Sequence, residues 1–582
     1  MAVLMRAKGR AEEVAAAFCP PMRQGNQKAA AKPVRAGDAV AVEATVKTLV
    51  SHTMYHGGIH TLLDKGVMEM RAHSLARVLP AGVQEDFVAA SLTLPAQVAV
   101  TFFGRLVPDK PYLMRSQLVS YLSYPGRHLT NGEAGIMFAE DDADSSIDAS
   151  ITFIGQFIDH DLTRGALNLF DTAVRKSYIT LHPDLAEALA EEPDNEASPF
   201  IDLDSVYGGR RDPEKPHCTI TVPMDEATGQ FELKPVAGGG FDVVRDSTSG
   251  MALIGDGRND ENQIVLQVHI LLMRVHNAYV EALKAKAPAL DANTTFKAAR
   301  EKTILTWQAY VLHHYLPAVC RADYVDCVKA RILADPMSLV HHPDGGDPRN
   351  LTMPHEFGIG FRFGHSQIRN QYRMNRHSGF PLFDSLSDGS NDLRGGKPLD
   401  ASRIIDWGVF VQQPSKLIDT KVSQVAFDLP QSAVPDGIKL VGNLPFRNLQ
   451  RSNDVELCCG EDLAELYAKG YAGACSVPVY SRLQIDKQRP DLFYLDNDGK
   501  RSATFRTPLW FYLLREAELA RGGDAAKGQL GPLGSLLVAE VILNAIYHAP
   551  ISIFKEGLAD DTLVTFESLV AFAEGKGPPP LP

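Results

Sequence analysis

Residues 153–163, Phe-Ile-Gly-Gln-Phe-Ile-Asp-His-Asp-Leu-Thr, place an amide, an imidazole and two carboxylates in one short apolar stretch. On a helix of about 3.6 residues per turn, Gln156 and His160 share a face. Asp159 and Asp161 flank the histidine and point about 100° to either side of it, so three kinds of polar group fan out from one turn. Phe153, Ile154, Phe157, Ile158 and Leu162 carry enough apolar surface to bury the segment. Ionised carboxylates enter an interior only when paired, hydrogen-bonded or bound to metal. No lysine or arginine lies between 151 and 163 to pair with these two. The bland alternative is a helix end with solvated acids; burial favours a site.

Four further pieces carry chemistry. In Ser198-Pro-Phe-Ile-Asp-Leu-Asp-Ser-Val-Tyr-Gly-Gly, Ser198, the carbonyl of Phe200, Asp202 and Asp204 alternate along an extended loop. Hard oxygen donors of this kind suit Ca²⁺, which takes about six to eight of them. Alternating aspartates alone are as well explained by solvation, but Asp161 would add a third carboxylate and gain a reason to be buried. Gly255-Asp-Gly-Arg-Asn-Asp-Glu-Asn opens a helical run from Gln263 through Lys284, with Asp256 as a candidate cap. Arg258 and Glu261 share a face there, where the plain alternative is a salt bridge within the helix. His269, Arg274, His276 and Asn277 follow as candidates for buried polar contacts. In Phe361-Arg-Phe-Gly-His-Ser-Gln-Ile, a glycine clears space beside His365, and imidazole is the usual proximal ligand of haem iron. Asn443-Leu-Pro-Phe-Arg-Asn-Leu-Gln-Arg could bring Asn448 and Arg451 to one side of a turn or helix.

The elements that must hold these residues are mainly helical by spacing. The central helix should begin near Asp148, after loops marked by Pro108, Pro111 and Pro125. With 582 residues, 45% hydrophobic and 22% charged, the chain can bury a large core. Its net charge of −13 argues against nucleic acid and anionic membranes as partners. No apolar run reaches the ~18 residues of a transmembrane span. The first residues lack the apolar region of a secretory leader, so a cytoplasmic setting is the default expectation and leaderless export the alternative. Seven scattered cysteines without C-x-x-C spacing read as reduced. Residues 1–40 read as a loose arm, and 41–105 as mostly helical with no motif.

Taken in order, FIGQFIDHDL, SPFIDLDSVYG, GDGRNDEN running into LQVHILLMRVHN, FRFGHSQI and NLQR resemble the animal-type haem peroxidases, the superfamily of myeloperoxidase and lactoperoxidase. Thr507 to Glu518 and Leu530 to Glu540 resemble its bacterial members, and the likeness runs from about 110 to 550. It implies a mainly α fold, a helical core around a buried haem with little β-structure. The implied division is an N-terminal arm and helical extension over 1–105, a peroxidase domain over 106–575 and a Pro-rich tail over 576–582. His160 matches the distal histidine, Gln156 the distal glutamine and Arg258 the distal arginine. His365 matches the proximal iron ligand and Asn448 the residue accepting its imidazole N–H, with Arg362 and Arg451 beside the haem. Asp159 and Glu261 match the two carboxylates that can form esters to haem b. Asp161, Ser198, Phe200, Asp202 and Asp204 match the Ca²⁺ site. The implied reaction takes H₂O₂ and a small reducing substrate, an anion or a phenolic donor; the oligomeric state stays open.

Two departures qualify this. Asn262 stands where myeloperoxidase has the methionine that bonds a haem vinyl group, so bromide, iodide or thiocyanate are safer candidates than chloride. After Arg451, Ser-Asn-Asp-Val-Glu-Leu replaces the usual continuation, which puts the surroundings of the haem propionates in question. The same superfamily holds fatty-acid dioxygenases, which use a tyrosine three residues before the proximal histidine. Arg362 occupies that position and cannot form a tyrosyl radical. The other alternative, a non-catalytic calcium-stabilised scaffold, predicts loss of His160, Arg258 or His365, and all three are present.

Overall fold

The structure, a computed structural model, describes residues 101–581 apart from 115, 124–135, 140–142, 165–193, 196, 209–210, 213–214, 220–221, 349–350, 387–388, 431–441, 481–505, 522–527 and 560–563. The expected arm and nearly all of the helical extension lie outside these residues. Where that extension was expected to run to 105, residues 101–104 are instead a strand, in keeping with the sequence Thr-Phe-Phe.

Strands are short, among them β1 (Thr101–Gly104), β2 (Asp144–Asp148), β3 (Asp194–Asn195), β4 (Met353–Pro354) and β5 (Pro414–Lys416). β1 lies between β3, antiparallel, and β4, parallel. β2 pairs with β5, Asp148 opposite Pro414, and runs directly into the central helix. That pairing fixes where the helix enters the core.

The helices that build the interior are α1 (Ala149–Leu162), α2 (Gln263–Lys286), α3 (His355–Gly360), α4 (Leu444–Asp454), α5 (Leu509–Ala520) and α6 (Pro532–Tyr547). α1 begins at the expected place. Asp148 caps it by accepting from Ser150 N, and Phe153, Ile154, Phe157, Ile158 and Leu162 are buried as their spacing required. Asp256, the expected cap of α2, caps a preceding 3-10 turn over Gly257–Asp260; Asn262 caps α2 itself. The chain has to turn once more before α2 starts, so the cap moves six residues on. α2 packs against α1, the helix Ala292–Tyr310 and the helix Phe566–Ala573. Its C-terminal Lys284 and Lys286 suit the negative end of the helix dipole.

α6 is buried on nearly every side. Its cap residue Gly531 has no side chain to offer, and the Glu516 carboxylate of α5 accepts from Leu533 N and Gly534 N, both at 3.0 Å. A Cβ at Gly531 would stand 2.4 Å from Glu516 Cγ, so the glycine makes room for this cap from outside the helix. The cysteines correct an expectation: Cys327, in the helix Ala322–Ala334, is disulfide-bonded to Cys475, 148 residues away. Spacing cannot reveal a pair brought together only by tertiary packing. Cys320, Cys458 and Cys459 are free and buried. The Pro-rich tail is docked, with Leu581 buried and its N–H donating to Tyr279 of α2 at 3.2 Å.

Candidate active site

One cavity gathers the nine residues singled out for catalysis and haem binding. α1 supplies Gln156, Asp159 and His160, while Arg258, Glu261 and Asn262 come from the turn before α2 and its cap. These form the first wall. Arg362 and His365 come from a 3-10 turn over Phe361–Ser366, and α4 adds Arg447, Asn448 and Arg451; these form the second. Phe153, Phe361, Phe363, Leu382 and Phe383 give the rest of the lining an apolar character.

On the first wall His160, 4% exposed, has Nδ1 2.8 Å from Asn259 Oδ1. The ring therefore donates from Nδ1 and keeps the Nε2 lone pair. Asn259 Nδ2 lies 3.0 Å from Nδ1 of the buried His269, which makes that nitrogen the acceptor. Arg258 is gripped from behind. Asp256 accepts from its Nη2 at 2.7 Å and its Nε at 3.2 Å, and Nη2 also donates to the carbonyls of His160 (3.1 Å) and Thr163 (2.7 Å). Its ion pair is thus with Asp256, and not with Glu261 as the plain alternative had it. Nη1 has no protein partner among the described residues and is left for the cavity.

Asp159 accepts from Thr163 Oγ1 at 2.9 Å, and burial raises its pKa against the pull of Arg258 and Arg362. Glu261 is exposed to the cavity, and the protein packed around it pushes its pKa up to about 7, with Arg258 drawing it back. Gln156 joins the two carboxylate-bearing segments, donating to Glu261 Oε2 at 3.1 Å and accepting from Asn262 Nδ2 at 3.1 Å.

On the second wall His365 pairs with Asn448 as expected, but with the opposite polarity. Asn448 turns Nδ2 to His365 Nδ1 at 2.8 Å, because its Oδ1 accepts from Arg362 Nη1 at 3.3 Å. Arg362 also donates to Gly358 O at 3.1 Å. Burial, then the charges of Arg362 and Arg447, push the His365 pKa down to about 3, so its ring is neutral at physiological pH. Arg447 is pushed down to about 10 by burial and by Arg362. The departing segment after Arg451 continues α4, and Asn453 ties it to Met114 N (2.7 Å) and O (3.0 Å).

Behind the first wall, Asp161, Asp202 and Asp204 are buried with ligand oxygens within 4.8 Å of one another. Ser198 and Phe200 lie buried in the same loop. Leu203 N donates to Asp161 Oδ2 at 3.1 Å, Ser198 Oγ to Asp202 Oδ2 at 2.8 Å and Ser198 N to Asp204 Oδ2 at 2.9 Å. Leu203 takes the left-handed conformation, φ 58°, which directs its N–H back to α1.

Arg447 and the roles of Asn259 and Asn262 escaped the sequence reading. Arg447 is four before Arg451 on α4, and that helical spacing was the available signal. Asn259 and the Asn262 contact with Gln156 carried none, because their partners lie 99 and 106 residues away. Of the buried polar candidates on α2, His276 bonds Tyr207 and Gly229 O, both at 3.0 Å, and Asn277 ties down Phe231 at 2.8 and 3.0 Å. Arg274 instead stacks 5.1 Å from the Phe241 ring centroid.

A family profile described as animal haem peroxidase matches residues 173–424, starting past α1 and ending before α4. A "Peroxidase-like protein" of Margaritifera margaritifera is 24% identical over 354 residues, 52% of this chain and 43% of that protein. "Heme peroxidase 2" of Caenorhabditis elegans is 25% identical over 360 residues, 59% of this chain and 46% of that one. The chain thus spans less than half the length of these curated relatives. Among solved structures, Peroxidase A from Dictyostelium discoideum superposes with a TM-score of 0.51 at 15% identity, covering 82% of this chain and 94% of that one. A fatty acid alpha-dioxygenase of Arabidopsis thaliana gives 0.51 at 12% identity, covering 92% and 87%. These structures share the fold, and the family match over residues 173–424 together with the ordered motifs makes the chain similar to the animal haem peroxidases.

Proposed function

We propose that this protein is a haem-dependent peroxidase that reduces H₂O₂ and oxidises small anions, bromide, iodide or thiocyanate, or small phenolic donors. The observation that carries the reading is His160, Arg258 and His365 lining one cavity. Haem fits this lining. A Cβ at Gly364, beside His365, would meet nothing within 4 Å, and the neutral His365 ring can give a lone pair to iron. Arg362, Arg447 and Arg451 match the negative charge of haem propionates. Haem supplies the iron at which peroxide is cleaved; the protein supplies the proton transfer and the charge. His160 takes a proton from peroxide at Nε2 and returns it to the departing oxygen, acting first as general base and then as general acid. Arg258 faces the negative charge that develops as the O–O bond breaks. Asp159 and Glu261 reach the same cavity and are the candidates for ester bonds. Asp161, Asp202 and Asp204, with Ser198 Oγ and the Phe200 carbonyl, form the proposed Ca²⁺ site, since three buried carboxylates this close call for a cation.

The dioxygenase alternative gains nothing from its structural relatives, which share only the fold. Arg362 holds the tyrosyl position and is committed to Asn448 and Gly358. The test is the visible spectrum of the purified protein before and after one equivalent of H₂O₂, followed by extraction with acidified acetone. A Soret band that shifts with peroxide is expected, and haem that stays with the polypeptide indicates an ester. Release of the haem removes the ester claim. Folded protein given haem and calcium that shows no Soret band overturns the reading.

A further inference from the structure

Asn262 has two roles, and the first dictates the second. Its side-chain oxygen accepts from the backbone N–H groups of Ile264 (3.1 Å) and Val265 (2.9 Å) and so caps α2. A backbone N–H can only donate, which fixes that end of the amide as the oxygen. The Asn262 nitrogen must therefore face the other way, where it meets Gln156 Oε1 at 3.1 Å. Gln156 is left with its nitrogen towards Glu261, and Nε2 lies 3.1 Å from Oε2. With the Gln156 amide turned over, two N–H₂ groups would oppose each other at one end and two oxygens at the other. The first turn of α2 thus sets the orientation of an amide that lines the cavity.

That orientation has a chemical meaning. The Gln156 carbonyl is consumed by Asn262 and one N–H by Glu261, which leaves the second N–H for the cavity. Arg258 Nη1 is likewise uncommitted, so the polar groups this pair offers are donors. The acceptor beside them, Glu261, already takes one Gln156 N–H, and the donors left over suit a ligand that has lone pairs and no proton to give. The Glu261 carboxylate is the opposing charge; Arg258 and Arg447 counter it, while Asp256 and Asp159 add to the negative side.

We propose that Asn262 is a specificity-determining, positioning residue: by locking Gln156 as an N–H donor to the cavity, it favours a small monovalent anion, a halide or thiocyanate, over a neutral hydroxylic donor. The inference rests on the peroxidase reading and narrows its substrate class.

The experiment titrates the haem-loaded full-length protein, without peroxide, with sodium bromide, iodide and thiocyanate and reads Kd from the Soret perturbation. Two variants keep the cap, because Ser and Asp are both good N-cap residues. Asn262→Ser removes the N–H that holds Gln156, and Asn262→Asp obliges Gln156 to turn its nitrogen to the carboxylate and its carbonyl to the cavity. Loss of one oriented hydrogen bond should raise the anion Kd about tenfold in Asn262→Ser. Asn262→Asp should raise it further and lower KM for a neutral phenol, which gains an acceptor. Equal Kd values in the natural protein and both variants overturn the proposal. A rise in Asn262→Asp alone does so too, since it assigns the effect to the added charge. A natural protein that reacts with peroxide and oxidises the phenol, yet shows no saturable anion perturbation, overturns the inference and leaves the peroxidase reading standing. Absence of a Soret band removes both.

Discussion

The two walls of the cavity fasten their polar groups differently. On the first, Asn262 is anchored on backbone N–H groups and Arg258 on backbone carbonyls, while Asn259 bridges two imidazoles. On the second, the amide that faces His365 is steered by one side chain, Arg362, through a 3.3 Å bond. The wall proposed to handle protons is preorganised, whereas the wall that would take up a metal can adjust. An imidazole that ligates through Nε2 carries its proton on Nδ1 and needs an acceptor there. Asn448 can provide one by a half-turn of its amide, at the cost of the long bond to Arg362.

The comparison breaks most visibly at the histidines. His365→Leu should abolish the Soret band, whereas His160→Leu should keep it and slow the reaction with H₂O₂ by about 10²–10⁴-fold. Equal haem retention in both would end the division of labour between the walls. The next largest effect is expected at Asp256, which is wholly buried against Arg258. Asp256→Asn should cost about 3 kcal/mol, read as a lower urea midpoint, because it strips a buried guanidinium of its counter-charge. Asn259→Leu deletes bonds of 2.8 and 3.0 Å on the fixed wall and should cost about 2 kcal/mol. Arg362→Met, on the adjustable wall, should change stability by less than about 1 kcal/mol, since the Asn448 amide is then free to turn.

The smallest effects separate the walls by pH in the haem-free protein. Glu261 has its pKa raised from 4.5 to about 7, so folding favours its protonated form. Its contribution is full below pH 4.5 and is lost as pH rises towards 7. His365 is lowered from 6.5 to about 3, so folding favours the neutral ring, and stability is lost as pH falls from 6.5 towards 3. Between pH 4.5 and 6.5 the two act in opposite senses, so Glu261→Gln should remove a fall in the urea midpoint with rising pH and His365→Gln a rise. The same slope change in both variants would contradict the separation.

The sequence was legible where a residue's role depends on neighbours a turn away. Apolar spacing and Asp148 placed α1, and the local motifs brought nine cavity residues together. It was mute where a role depends on which distant group arrives: Asn259 on His269 and His160, Asn262 on Gln156, Cys327 on Cys475. It misled where two local solutions compete, as when Asp256 capped a 3-10 turn in place of α2. Asn448 shows a subtler limit. Its partner was identified correctly, but the polarity of the bond depended on Arg362, 86 residues away.

The cap that α5 lends to α6 bears on the order in which the chain can fold. The first N–H groups of a helix go unsatisfied unless something outside the helix accepts from them. In α6 the acceptor arrives with Glu516, 15 residues before Gly531, and the glycine gives α6 no substitute of its own. The start of α6 is therefore completed only when α5 has docked beside it, and the two helices should gain protection from hydrogen exchange as one cooperative unit.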